Sequence, residues 1–474
     1  MRRLRVAALG AALASAAVAV LPDAALAHGL VGKQDLPIPR WLFAWAAAVV
    51  LVVSFVLLGV LWRNPLLAAR ERGRGLAASF SRLVLGPVRI VLQALTVALF
   101  VLVWVSAVFG DTDPFRNLAP TWIYVIFWLG LPALTVVFGY VWRALSPWRA
   151  IADAFVWLRE LRGAEVQPLA VYPERLGRWP AAVGLFAFAA LELAYSDPAS
   201  PRALAFATAL YTYVALFGMA SFGRDTWEEN GEAFAVLYRF LARIAPFHVV
   251  DGRIRARWPF TGLAGAEGAP GSVAFIAVML GTVLFDGYSR TTTWQDLAAR
   301  VEAPYVVDRP GVGELLVTLL SLGGLLAGVL LVALAYEAAC ALARWTVNAP
   351  RSLVEDFLRS LVPIAFVYML AHYFTLFVVQ GQFAVPLLSD PLGKGWNLFG
   401  TAHVVPDLTV IAPNTTWYVQ VGALVGGHVA GLAVAHDRAV TIFPERRAAL
   451  RSQYAMLGLM VLYTVGGLWV LSRG

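Results

Sequence analysis

Ten apolar runs, each near the ~20 residues a helix needs to cross the hydrocarbon layer, recur along this chain and fix its solvent. They cover roughly 41–62, 90–109, 121–144, 180–196, 203–221, 273–288, 313–339, 360–380, 416–436 and 453–471. Of the 474 residues, 60% are apolar and 14% charged, and the mean hydropathy is +0.72. A soluble domain averages about 45–50% apolar and about 25% charged, and it cannot hide so large an apolar excess from water. The expected fold class is therefore an all-α integral membrane protein, a polytopic helical bundle of about ten transmembrane helices.

Arginine placement tests that count. The net charge is +8, and Lys33 and Lys394 are the only lysines. With residues 28–474 read as a single membrane domain whose mature N-terminus is outside, 25 cations fall in alternate segments: around 63–89, 143–178, 224–257, 344–359 and 438–451. Nine fall in the others, Arg116, Arg202 and Arg290 among them. The bias follows the positive-inside rule and places the chain in a bacterial cytoplasmic membrane with cytoplasmic loops around 145–180 and 222–272 and an external loop at 381–416. It also explains the high isoelectric point without nucleic acid. The lipid bilayer is the expected partner, and a homodimer is left open.

Residues 1–27 read as a secretory signal peptide: Arg2, Arg3 and Arg5 precede an apolar run from Val6 to Leu21, and Ala25-Leu26-Ala27 matches a cleavage site. His28 would then be the mature N-terminus, whose α-amine and imidazole suit a soft metal such as copper. Cys340 is the single cysteine, so disulfides and cysteine-based clusters are excluded.

Two further patterns concern packing. Phe234, Leu237, Phe240, Leu241 and Ile244 recur at helical spacing, which predicts an amphipathic helix along the inner membrane surface. Gly324 and Gly328 in the seventh run, with Gly422, Gly426, Gly427 and Gly431 in the ninth, predict close helix approach.

Ionisable groups inside the runs cost about 2.5–3.5 kcal/mol each on insertion scales, so each is a functional candidate: Glu192, Asp286, Glu337, His372, His428 and the pair His436-Asp437. At ~1.5 Å per residue, His372 and His428 fall near the same mid-depth on neighbouring antiparallel runs, where their rings could meet. They could bind a metal with Glu192 or Asp286 as oxygen ligands, bind a b-type haem, or pack as hydrogen-bonded core histidines. His436-Asp437 reads as a helix anchor with Glu337. Phosphate-loop and nucleophile-elbow motifs are absent.

The stretches AHGLVGKQDLPIPRWLFAW, GRDTWEENGEAFAVLYRFLARIAPF, LFDGYSRTTTW, LAHYFTLFVVQGQ and NTTWYVQVGALVGGHVAGLAVAHDRAV resemble a family of bacterial polytopic membrane proteins labelled fenitrothion hydrolase. The resemblance runs from His28 to about Arg438. It implies a membrane-bound hydrolase of organophosphorus triesters and carries no established catalytic residues. Such chemistry wants a metal-bound hydroxide. A divalent ion (zinc, manganese, cobalt or copper) would be held by His372, His428, Asp286, Glu192 and His28, with Asp286 or Glu192 also serving as the base that orients water. The apolar small-molecule substrate would enter from the outer leaflet. A small-molecule or metal-ion transporter, or a haem-binding redox partner, would use the same residues.

Overall fold

The computed structural model describes residues 40–473, so the leader at 1–27 and the metal expectation at His28 lie outside the described residues. Among the described residues the chain is helical almost throughout, and eight helices are long and apolar enough to cross a membrane. It is a multi-pass membrane protein, because only helices with internally satisfied backbones cross lipid in this number.

The helices used below are α1 (Arg40–Leu61), α2 (Ala78–Phe109), α3 (Leu118–Phe138), α4 (Pro147–Leu161), α5 (Trp179–Leu193), α6 (Pro201–Phe222), α7 (Arg224–Asn230), α8 (Ala233–Ala242), α9 (Ser272–Ser289), α10 (Pro310–Val347), α11 (Leu361–Thr375), α12 (Pro413–Ile442) and α13 (Tyr454–Arg473). A helix occupies each of the ten predicted runs. α2 is kinked where Gly86 leaves helical geometry beside Pro87. α3 passes through a π-helical stretch at Trp122–Gly130, and a π turn at Leu376–Gln380 follows α11.

The arginine-rich segments gather at one end. Three short strands, β1 (Arg74–Gly75), β2 (Phe247–Val250) and β3 (Arg253–Ala256), form an antiparallel sheet in the order β1-β3-β2. That sheet ties the first arginine-rich segment to the third. Arg178 reaches Ser272 and Glu267, and Glu267 also binds Arg243 and Arg359. At the opposite end, Asp111 and Leu118 donate backbone N–H groups to Leu392 and Pro391.

Packing centres on α9. Two-thirds of its apolar window is buried, because it runs between α5, α10 and α11. Glycines allow that approach. A Cβ on Gly281 would lie 2.6 Å from the Val329 backbone, and one on Gly328 3.1 Å from the Gly281 carbonyl. α12 uses one of its two small-residue pairs in the same way. Gly427 abuts Val367 and Gly431 abuts the Ser360 carbonyl, whereas Gly422 and Gly426 meet nothing.

The predicted surface helix is not on the surface. Every residue of α8 except Arg239 is buried. Trp227 of α7 packs back against Gly218 of α6, and Glu232, at the turn between α7 and α8, reaches Tyr211. Tyr211 stands eleven residues before the end of α6, about 16 Å along the helix. α7 and α8 therefore form a re-entrant hairpin inside the bundle. The apolar stripe was read correctly, but the other side of α8 is buried as well, at Ala235, Tyr238 and Ala242.

Candidate functional site

Three helices that are distant in sequence build the site. α9 carries Asp286 near the end opposite the arginine-rich face, 2% exposed. One turn on, Arg290 places Nε 3.1 Å from Asp286 Oδ1 while most of its own side chain stays exposed. α11 carries His372, whose Nε2 lies 2.7 Å from Asp286 Oδ2. At that distance the two side chains are hydrogen-bonded. α5 carries Glu192, whose Oε2 is enclosed and lacks a hydrogen-bond partner. The Tyr373 hydroxyl faces both Glu192 and Asp286 but makes no well-aligned hydrogen bond with either.

Two carboxylates so close in a low-dielectric interior repel, and each is offset differently. Asp286 has a cation at Arg290 and a histidine at His372. Glu192 has only the tyrosine hydroxyl and the more distant Arg290. Beside His372 is a small cavity of about 10 Å³ lined by Val283, Leu284, Tyr368, Ala371, Leu424 and Gly467. That is about the room one water needs.

His428 makes its contacts elsewhere. Its Nδ1–H donates to the Leu424 carbonyl at 2.8 Å, its ring packs edge-on against Tyr368, and its Nε2 is buried without a partner. The partner of His372 is thus Asp286. Among the described residues no three His, Cys, Asp or Glu side chains are grouped to hold a metal ion. The nearest donors, His372 Nε2 and Asp286 Oδ2, are spent on each other.

His436 and Asp437 anchor α12, as expected, but with other partners. Asp437 Oδ1 accepts from Trp62 Nε1 and from the Leu66 and Leu67 amides, and His436 bonds the Trp62 carbonyl and Gln453. Glu337 is exposed on α10.

Sequence reasoning missed a second buried polar group. Glu232 is the N-cap of α8 and accepts from the Phe234 and Ala235 amides, from Trp142 Nε1 and from the Tyr211 hydroxyl. Arg149 of α4, 3% exposed, binds Asp153, Asp225 and Glu228. Between the two polar groups lies an aromatic layer in which Phe234 packs on Phe127, Trp128 and Phe188. Along α5 the order is Gly184 against Ala233, Phe188 in the aromatic layer, then Glu192. In the sequence the segment Gly223 to Glu232 carries five charged residues and one aromatic, Trp227, so it reads as a solvated loop.

No family model matches the chain, and no curated protein or solved structure matches it.

Proposed function

We propose that this protein is a proton-coupled membrane transporter for a small solute, with its working proton held among His372, Asp286, Tyr373 and Glu192. The observation that carries the reading is the His372–Asp286 pair, 2.7 Å apart inside a spanning segment and next to the unpaired Glu192 Oε2. Ionisable groups are retained at that depth when they line a proton or ion path. The surroundings support transport: a re-entrant hairpin and π-broken helices are tolerated at membrane depth where they line a path through protein. An aromatic layer separates the site from the arginine-rich face, which we place in the cytoplasm. Loss of a proton from the site would release His372 from Asp286 and leave two adjacent carboxylates to repel.

A second reading, hydrolysis of an apolar triester drawn from the bilayer, is favoured by one feature. Asp286 on one ring nitrogen of His372 is the arrangement that orients a general base, and the adjacent cavity fits a water. Proteoliposomes containing a pH-sensitive dye separate the two. Transport expects proton movement when one of a panel of solutes is added, lost in Asp286→Asn and His372→Gln. Turnover of a nitrophenyl phosphotriester by the purified protein, lost in the same variants and without proton movement, would overturn transport in favour of hydrolysis.

A further inference from the structure

The arginine-rich end contains a cluster apart from the proton site, at the C-terminal end of α8. Glu267, 6% exposed, takes three arginines: Arg178 Nη1 at 2.9 Å on one oxygen, and Arg243 Nη2 at 3.4 Å and Arg359 Nη2 at 3.2 Å on the other. Among the described residues no other acid forms an ion pair with the three guanidinium groups. Glu229 and Glu355 are exposed nearby and Glu71 is half-buried, so they act only at longer range. Three cations on one carboxylate leave an uncompensated positive charge in a largely desolvated place, which is costly unless an anion joins them.

The geometry also provides donors for that anion. Arg178, 7% exposed, has a buried Nε with no hydrogen-bond partner. The Phe240 ring covers one face of its guanidinium at 4.7 Å. Arg178 is the N-cap of α5 and bonds Ser272, the first residue of α9. The N-termini of α5 and α9 therefore meet at the cluster and turn their positive dipole ends toward it. Arg243 and Arg359 keep 29% and 14% of their side chains exposed, so the cluster opens on that side. Burial, with Arg359 and Arg178 close by and Glu267 only partly offsetting them, pushes Arg243 down to about 10, as an excess of positive charge requires.

We propose that Arg178, Arg243 and Arg359 form a binding site for a phosphate group, carried either by an anionic phospholipid at the membrane interface or by a soluble phosphate compound. Forked guanidinium donors suit phosphate oxygens, and basic pockets between spanning helices take anionic headgroups.

The test uses the full chain in nanodiscs and compares wild type with Arg243→Gln, whose side chain is partly exposed, and with Arg243→Lys, which keeps the charge. Melting temperature is read in phosphatidylcholine alone, with added phosphatidylglycerol, and with inorganic phosphate. Binding to the native state raises melting temperature by mass action. We expect wild type to be stabilised by at least one of the two phosphate probes and Arg243→Gln to need about tenfold more of it for the same rise, with Arg243→Lys in between. A rise with phosphatidylglycerol alone assigns the lipid, and an equal rise with inorganic phosphate assigns the soluble group. Responses to both probes that are the same in wild type and Arg243→Gln overturn the proposal. Because each response is a difference on adding the probe, a variant that is merely less stable gives no false support.

Discussion

The two buried carboxylates Glu232 and Glu192 differ in how completely they are satisfied. Around Glu232, one carboxylate accepts four donors from three elements. Around Glu192, one oxygen has no partner and the facing tyrosine hydroxyl is poorly aligned. Both sit in protein-lined surroundings where an unmade hydrogen bond costs about 1–3 kcal/mol. A group that bears this cost is poised to change state, and a group that avoids it is holding elements together. The Glu232 group reads as a brace for the re-entrant hairpin, and the Glu192–Asp286 group reads as the working site.

The largest effect that tests this contrast is the loss of the brace. Glu232→Ala strands Trp142 Nε1, the Tyr211 hydroxyl and two helix N-terminal amides. It should cost about 3–5 kcal/mol, seen as a fall in melting temperature of the purified protein. Glu192→Gln removes a carboxylate that has little to lose and should shift stability by less than about 1 kcal/mol or raise it. A larger stability loss from Glu192→Gln than from Glu232→Ala would break the comparison.

Asp286→Asn lies between these. It removes the charge facing His372 and Arg290 but keeps the shape. A cost of about 1–3 kcal/mol is expected from the weakened hydrogen bonds. Activity in the vesicle assay should fall far more than that stability loss explains, since most of the protein stays folded. Activity that merely tracks the folded fraction would reduce Asp286 to another brace.

The sequence made one of these regions partly legible and the other not at all. Helices were visible because a membrane span must be long and apolar, and arginine marks one side. Depth was visible too, because each residue adds a fixed rise, and so Asp286, His372 and Glu192 could be singled out. Azimuth was not visible. His372 and His428 were matched by depth, yet His372 faces α9 and His428 faces Tyr368 on its own neighbour helix. Which side of α11 meets α9 depends on contacts between segments nearly a hundred residues apart. The hairpin was hidden for a different reason. Its charges resemble those of a loop, and only the packing of α3, α5 and α6 around it turns Glu232 into a core residue.

Helix packing offers a smaller effect with the same logic. Gly427→Val would place new atoms into Val367, and overpacking should cost about 1–3 kcal/mol, moving α12 against α11 and with it His372. Gly426→Ala, one residue away, meets open space and should stay within about 0.5 kcal/mol. Equal effects at the two positions would mean that α12 is rotated from the orientation described.

The smallest expected effect is at the arginine-rich end, in the sheet that supports the hairpin. His248 on β2 has a buried Nδ1 without a partner. Burial, with Arg257 and Arg255 adding repulsion, pushes its pKa from 6.5 down to about 4. The folded state thus disfavours the protonated ring more than the unfolded chain does. Where the two states differ, the unfolded chain binds more protons, so stability rises with pH. The contribution is fully present above about 6.5, is lost as pH falls, and levels off below about 4. Wild type should lose more melting temperature between pH 7 and pH 4.5 than His248→Gln, which has no ring to protonate. The difference between the two curves, rather than either curve alone, removes the carboxylates that titrate in the same window. An identical pH response would mean that β2 does not hold His248 in its desolvated position, and that the sheet contributes less to the brace than its hydrogen bonds to β3 indicate.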